Sequence, residues 1–153
     1  MSKIYVGLGS NLGDKKLNIT NATILLGSLM GDLKVLSSLY ETEPWGFRSD
    51  NKFLNAVVLL ETNIEPQMCL EMAKAIEREM GRVYTHEGYE DRLIDVDILL
   101  YDDRVIRTET LTLPHPLMHE RDFVLKPMAE IAPDLQHPLL KKTMKELLCE
   151  INK

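Results

Sequence analysis

The chain has 153 residues, 44% of them hydrophobic, enough to close one core and too few for two ordinary domains. Its 24 acidic and 18 basic residues leave a formal charge of −6, which argues against a nucleic-acid scaffold held by a dominant positive field, although a small anionic ligand needs only local arginines. No stretch approaches the roughly 18 apolar residues of a spanning helix, and the start lacks the apolar run of a signal peptide. The expectation is one soluble, cytoplasmic domain over 1–153 with neither a membrane nor a nucleic-acid partner.

Residues 3–8 alternate as a strand, and Gly7, Gly9 and Gly13 are read as opening a turn after it. From 14 to 30, Ile19, Ala22, Leu26 and Leu29 keep helical spacing, with Gly31 as a left-handed stop. Residues 33–42 and 53–62 read as two further strands. Pro66 suits the first turn of a second helix, whose face of Cys69, Ala73, Ile76 and Met80 ends at Gly81. Over 94–101, Ile94, Val96, Ile98 and Leu100 point one way and Asp95, Asp97, Leu99 and Tyr101 the other. The order strand, helix, two strands, helix, strand predicts an α+β fold with an antiparallel sheet and helices on one face.

Asp102-Asp103 is a plausible hairpin turn, followed by short extended pieces at 105–106 and 111–113. The remainder turns helical: Thr143 with Glu146 has the form of a capping box, and Met144, Leu147, Leu148 and Ile151 can dock a last helix. Cys69 and Cys149 fall in helical segments without metal-type spacing and read as reduced packing residues.

The chemistry should centre on Asp95 and Asp97, whose carboxylates leave one face of a strand about 7 Å apart at the base, a natural seat for magnesium bridging a polyphosphate. An acidic pair on a solvated sheet face is the plain alternative. Arg82, Arg92 and Arg121 offer planar forks for phosphate oxygens, weighty only in combination with the aspartates. His115, fixed between Pro114 and Pro116, can donate to a phosphate or ribose, or simply belong to a turn. Phe53 and Asn55 share one strand face, where an aromatic plane and a carboxamide can hold a flat heterocycle; core packing and a strand edge explain them as well. Trp45 sits in the loop leading to that strand.

The stretch Gly7-Leu8-Gly9-Ser10-Asn11-Leu12-Gly13 imitates a dinucleotide fingerprint, with Glu41 as the ribose acid. That acid comes well after the usual spacing of about twenty residues, and no helix separates the second and third strands, so the imitation is taken as a lure.

Ordered along the chain are Leu8-Gly9-Ser10-Asn11-Leu12-Gly13, Tyr40-Glu41-Thr42-Glu43-Pro44, Phe53-Leu54-Asn55-Ala56, Gly81-Arg82, Arg92-Leu93-Ile94-Asp95-Val96-Asp97-Ile98, Leu113-Pro114-His115-Pro116 and Glu120-Arg121-Asp122-Phe123-Val124-Leu125. With these pieces the chain resembles the 6-hydroxymethyl-7,8-dihydropterin pyrophosphokinases over nearly its whole length. The resemblance implies a ferredoxin-like βαββαβ sandwich with a C-terminal hairpin and helices. It implies transfer of pyrophosphate from ATP, the co-substrate, to the pterin hydroxymethyl group in folate biosynthesis, with release of AMP. It further implies two magnesium ions on Asp95 and Asp97, and a pterin between Phe53 and Phe123 read by Asn55, with Thr42, Glu43 and Trp45 completing the pocket. Lys74, Glu77, Ile98, Thr112, His115, Pro116 and Arg121 would surround ATP, and Arg82 and Arg92 would act on its phosphates. Loops over 43–52 and 83–91 would close on the substrates.

The second loop departs from the family pattern, with Tyr84 where a second arginine is common and Tyr89-Glu90-Asp91 in place of a tryptophan-glycine-proline run. Thr110 also replaces a frequent arginine, with Arg107 close by. A non-catalytic nucleotide-binding module of the same fold therefore stands as the alternative, and a dinucleotide-dependent oxidoreductase rests on the glycine stretch alone.

Overall fold

The computed structural model describes residues 1–43, 51–81 and 93–152. Strand β1 (Ser2–Ser10) leads to helix α1 (Lys15–Leu29), whose first turn is capped by Asp14 Oδ1 accepting the Leu17 N–H at 3.1 Å. Strands β2 (Asp32–Leu36), β3 (Tyr40–Thr42) and β4 (Phe53–Thr62) follow, then helix α2 (Pro66–Glu79) and strand β5 (Asp95–Tyr101). The sheet runs β2-β4-β1-β5, with β3 also paired to β4, and each pairing is antiparallel. This is the βαββαβ order of a ferredoxin-like fold, its second strand divided in two.

Period-two alternation divides the apolar residues between two cores. Ile4, Val6, Leu8, Ala56, Val58, Leu60, Val96 and Ile98 pack under α1 and α2. Tyr5, Val57 and Leu99 point to the other face, where a second core forms with Leu125, Met128 and Leu147. Those last residues belong to α3 (Asp122–Ile131) and α4 (Met144–Ile151), which follow a hairpin of β6 (Ile106–Arg107) and β7 (Thr112–Leu113) and a single 3-10 turn at Met118–Glu120. Helices α1 and α2 share one face, as expected of the βαββαβ unit, and the added C-terminal helices cover the other. The reason is energetic: burying each Leu or Met of the C-terminal helices contributes about 1.5–3 kcal/mol, and only the second face of the sheet offers matching apolar surface. The capping box of α4 is present, Glu146 N–H donating to Thr143 Oγ1 and Thr143 N–H to Glu146 Oε1, each at 3.1 Å. Among the described residues no helix is long and apolar enough to cross a membrane.

Four local expectations are corrected. The strand expected over 33–42 breaks at Ser37, whose N–H donates to the Val57 carbonyl while its Oγ accepts the Val57 N–H, both at 2.9 Å. A hydroxyl thus takes a ladder position from the backbone, and Ser38 turns out of the sheet. The β1–β5 register shifts between Tyr5 and Val6, which pair with Leu100 and Ile98, so Leu99 is an extra residue and the alternation inverts beyond it. Tyr101 consequently joins the core under α1 and α2, and Leu100 the opposite one. Gly31 does not stop α1 through a left-handed backbone; among the described glycines that conformation belongs to Gly13 and Gly81. Its requirement is spatial, since a Cβ there would sit 2.2 Å from the Glu61 carbonyl oxygen. Cys69 is buried as expected, whereas Cys149 is exposed and so is not a packing residue.

Candidate active site

The C-terminal helices cover only part of their sheet face. Where they stop, the central strand presents Gly7 and Gly9, which lie inside β1 and not in the turn after it. Gly7 pairs with Asp97 on one side and Val57 on the other; Gly9 pairs with Asp95 and Asn55. With no side chains on that stretch of β1, a trough opens between β4 and β5. The resulting cleft encloses about 300 Å³, counting the open space at its mouth, and is lined by Gly7, Gly9, Asn55, Asp95, Asp97, Leu99, Phe123 and Val124. The glycine stretch is thus the floor of a site on a sheet face and makes no phosphate loop at a helix N-terminus, which removes the basis of the dinucleotide reading.

Period-two geometry brings four of the expected side chains together here. Asp95 and Asp97 are half-buried on the cleft side of β5. Phe53 and Asn55, both buried, stand on the same face of β4. Asn55 Nδ2 donates to Thr42 Oγ1 at 2.6 Å, which orients the carboxamide with its oxygen toward Gly9. The cleft therefore meets Asn55 as an acceptor. Phe123, at the start of α3, lines the opposite wall, and the Arg121 guanidinium lies 5.5 Å from its ring centroid.

Of the residues expected around ATP, Glu77, Ile98 and His115 adjoin the outer edge of β5, whereas Arg121 sits at the start of α3. Glu77, 4% exposed, reaches from α2 and accepts the Val96 N–H at 2.8 Å. The Val96 backbone therefore faces away from β1, and by ladder alternation so does the Ile98 N–H. The Ile98 side chain is in the core, so its part in any ligand contact would fall to the backbone. Lys74 is exposed one turn before Glu77 on α2, and Thr112 and Pro116 are exposed on the segment that returns along β5. His115 N–H donates to the Leu99 carbonyl at 2.9 Å.

His115 Nδ1 accepts the Leu117 N–H at 3.2 Å, which requires that nitrogen to be unprotonated and leaves the proton of the neutral ring on Nε2. Burial first, and then the Arg121 charge, push its pKa down to about 4 against an opposing pull from Asp95. Because the folded-state value lies below the ordinary one, the unfolded chain binds more protons between them, and this group's stabilisation is lost as pH falls from 6.5 toward 4. The expected result is an imidazole that stays neutral down to pH 5; a two-dimensional NMR titration of the His115 ring showing a midpoint near 6.5 would overturn the assignment.

Glu43 is exposed and its carboxylate lies 3.6 Å from Lys52 Nζ. Trp45, Arg82 and Arg92 lie outside the described residues, as do 44–50 and 83–91 of the two expected closing loops. Thr110 donates its hydroxyl to Gln67 at 3.1 Å, and Arg107 lies on β6. Gly7 and Gly9 were missed as site residues, although their alternation with Val6 and Leu8 already assigned them to one bare face. As for metal, two neighbouring carboxylates open to a cleft suit a hard cation that retains water and takes substrate oxygens. No set of three or more His, Cys, Asp or Glu side chains that could hold a metal occurs among the described residues.

An α+β fold of this kind is shared with solved structures. A crystal structure of an HPPK-DHPS in complex with substrates superposes with a TM-score of 0.79 at 13% identity, covering 97% of this chain and 43% of that longer one. The Plasmodium falciparum HPPK-DHPS with pteroate gives 0.79 at 16% identity, covering 97% of this chain and 44% of the other. At such identities these define the fold class alone. The family follows from sequence: the model of 7,8-dihydro-6-hydroxymethylpterin-pyrophosphokinase (HPPK) matches residues 5–133. A 2-amino-4-hydroxy-6-hydroxymethyldihydropteridine pyrophosphokinase of Porphyromonas gingivalis is 48% identical over 141 residues, covering 90% of this chain and 95% of that protein. That of Aquifex aeolicus is 41% identical over 146 residues, covering 95% and 90%. The folic acid synthesis protein fol1 of Schizosaccharomyces pombe is 43% identical over 147 residues, which are 94% of this chain and 20% of that larger protein. The chain belongs to the HPPK family.

Proposed function

We infer that this chain, working as a single domain, moves the pyrophosphoryl group of ATP to the hydroxymethyl oxygen of 6-hydroxymethyl-7,8-dihydropterin and releases AMP, a step of folate biosynthesis. Family membership with relatives named as pyrophosphokinases supports the reaction. The observation that carries the reading is the shared cleft: two carboxylates, a fixed carboxamide and an aromatic wall open onto one glycine floor.

In this reading the pterin lies flat between Phe53 and Phe123, and the Asn55 oxygen accepts from its N–H edge, with Thr42, Glu43 and Trp45 completing the pocket. ATP runs along the outer edge of β5, where Lys74, Glu77, Ile98, Thr112, His115 and Pro116 surround it. His115 Nε2–H and Arg121 donate toward its oxygens, since both are donors at neutral pH and neither requires a proton to be moved. Asp95 and Asp97 would hold magnesium between the two substrates, which when bound would neutralise phosphate oxygens as charge spreads in the transition state. The pterin hydroxyl oxygen forms a bond to the β-phosphorus and gives up its proton to solvent, the bond from that phosphorus to the α–β bridging oxygen breaks, and AMP leaves with that oxygen. Arg82 and Arg92 would steady the transferred group, and the loops over 43–52 and 83–91 would exclude water.

The test is AMP formation from ATP, magnesium and the pterin, with each left out in turn. AMP that needs all three is the expected result; ATP binding without AMP would establish a binding module in place of an enzyme.

A further inference from the structure

The break between β2 and β3 is tied to α3 by one carboxylate. Glu130 accepts the Ser38 N–H at 3.0 Å on Oε1 and 3.1 Å on Oε2, the Ser38 hydroxyl at 2.9 Å, and the Tyr40 hydroxyl at 2.6 Å. These bonds are exposed to solvent and contribute little to global stability as an isolated surface pair would. Their convergence is what matters, because three donors from two residues fix both ends of a short segment to one helix. The Tyr40 phenol is pushed up to about 12 by its hydrogen bond to Glu130, in keeping with a proton held between them.

Both elements so joined end at the cleft. From Tyr40, β3 runs two residues to Thr42, whose Oγ1 receives the Asn55 amide, and Tyr40 itself pairs with Asn55 in the ladder. From Glu130, α3 runs back seven residues, about 10 Å and nearly two full turns, to Phe123 on the opposite wall. Since seven residues return to almost the same helical direction, Phe123 and Glu130 lie on one flank of α3, Phe123 against the cleft and Glu130 against Ser38 and Tyr40. We propose that Glu130 is a positioning residue for the pterin half of the site, clamping β3 to α3 and thereby setting the distance between Asn55 and Phe123 across the ring slot. This rests on the pyrophosphokinase reading. ATP is met chiefly by α2, β5 and the 112–116 segment, and of the residues placed around it Arg121 alone adjoins α3.

The test is a split between the two substrates. Glu130→Gln, which removes the charge and replaces one of the two acceptor oxygens with an NH2 donor, is expected to raise the KM for the pterin roughly three- to tenfold, as loss of one charged hydrogen-bond set does. The KM for ATP should stay within about twofold. Tyr40→Phe and Ser38→Ala, each removing part of the same set, should shift the pterin KM in the same direction by less, and Glu130→Asp should recover part of it. They also serve if Glu130→Gln fails to fold. An unchanged pterin KM, or equal rises for both substrates, would overturn the proposal and leave Glu130 a structural contact. A wild type that makes no AMP and binds no pterin, followed by the fluorescence of the pterin itself, would overturn the functional reading beneath it. That outcome is distinct from a wild type that does both beside a variant that matches it.

Discussion

Asp97→Ala is expected to lower AMP formation by roughly 10³-fold while leaving the melting temperature within a few degrees of the wild type. The catalytic half follows from the proposed role: removing one of two carboxylates that hold a divalent cation between phosphate groups forfeits several kcal/mol of charge stabilisation, and each 1.36 kcal/mol is a factor of ten in rate. The stability half follows from the strand. Asp97 faces the cleft opposite Gly7, so no side chain packs over it from β1, whereas the burial that fixes β5 comes from Val96, Ile98, Leu99 and Leu100. Asp97→Asn, which keeps the volume and removes the charge, should lose nearly as much activity. Rates come from AMP release and stability from a thermal melt of the same preparations. A variant turning over near the wild-type rate would overturn the assignment of this carboxylate. A variant that melts far below the wild type would mean the residue serves the fold.

The same residues mark how far the sequence could be read. Bounds that depend on local periodicity and capping were legible: β4 spans 53–62 as its alternation requires, Pro66 opens α2, and Thr143 with Glu146 caps α4. Features decided by a distant partner were not. The break at Ser37 needs Val57 and Glu130, the shift at Leu99 needs the β1 register, and the demand for glycine at position 31 comes from a carbonyl thirty residues away. Within the site, alternation alone put Asp95 with Asp97 and Phe53 with Asn55, each pair on one face. That both faces meet over a bare stretch of β1 required knowing that β1 lies between β4 and β5. Phe123 entered through family resemblance, since nothing local tells a helix-start aromatic in a cleft from one in a core. Glu130 has no local signature either, being an ordinary acid near a helix C-terminus where acids are mildly unfavourable.

The bare stretch makes the second large effect specific. Gly9→Ala is expected to lower kcat/KM for the pterin by roughly tenfold, short of the ~10²-fold lost when a positioned group shifts by about 1 Å, because the added Cβ displaces its neighbour by less than that. An added Cβ would lie 3.0 Å from Asn55 Oδ1, 3.5 Å from Phe53 Cδ1 and 3.9 Å from Asp95 Cβ. The first contact is too short, and the carboxamide cannot rotate away without losing the 2.6 Å bond from its Nδ2 to Thr42. Either Asn55 moves or its acceptor oxygen turns from the cleft, and both spoil the reading of the ring. The backbone at Gly9 is in the extended strand and lies outside the left-handed region, so alanine should fold and melt near the wild type. Gly7→Ala is the internal control, because there the Cβ meets only Leu99 side-chain atoms at 3.5–3.7 Å, ordinary contact. It should cost several-fold less. ATP binding without pterin should be unaltered in both. If Gly7→Ala proves the more damaging, the floor under Asp97 governs the reaction and the ring slot against Asn55 does not. If Gly9→Ala leaves pterin kinetics untouched, the ring does not lie over this strand.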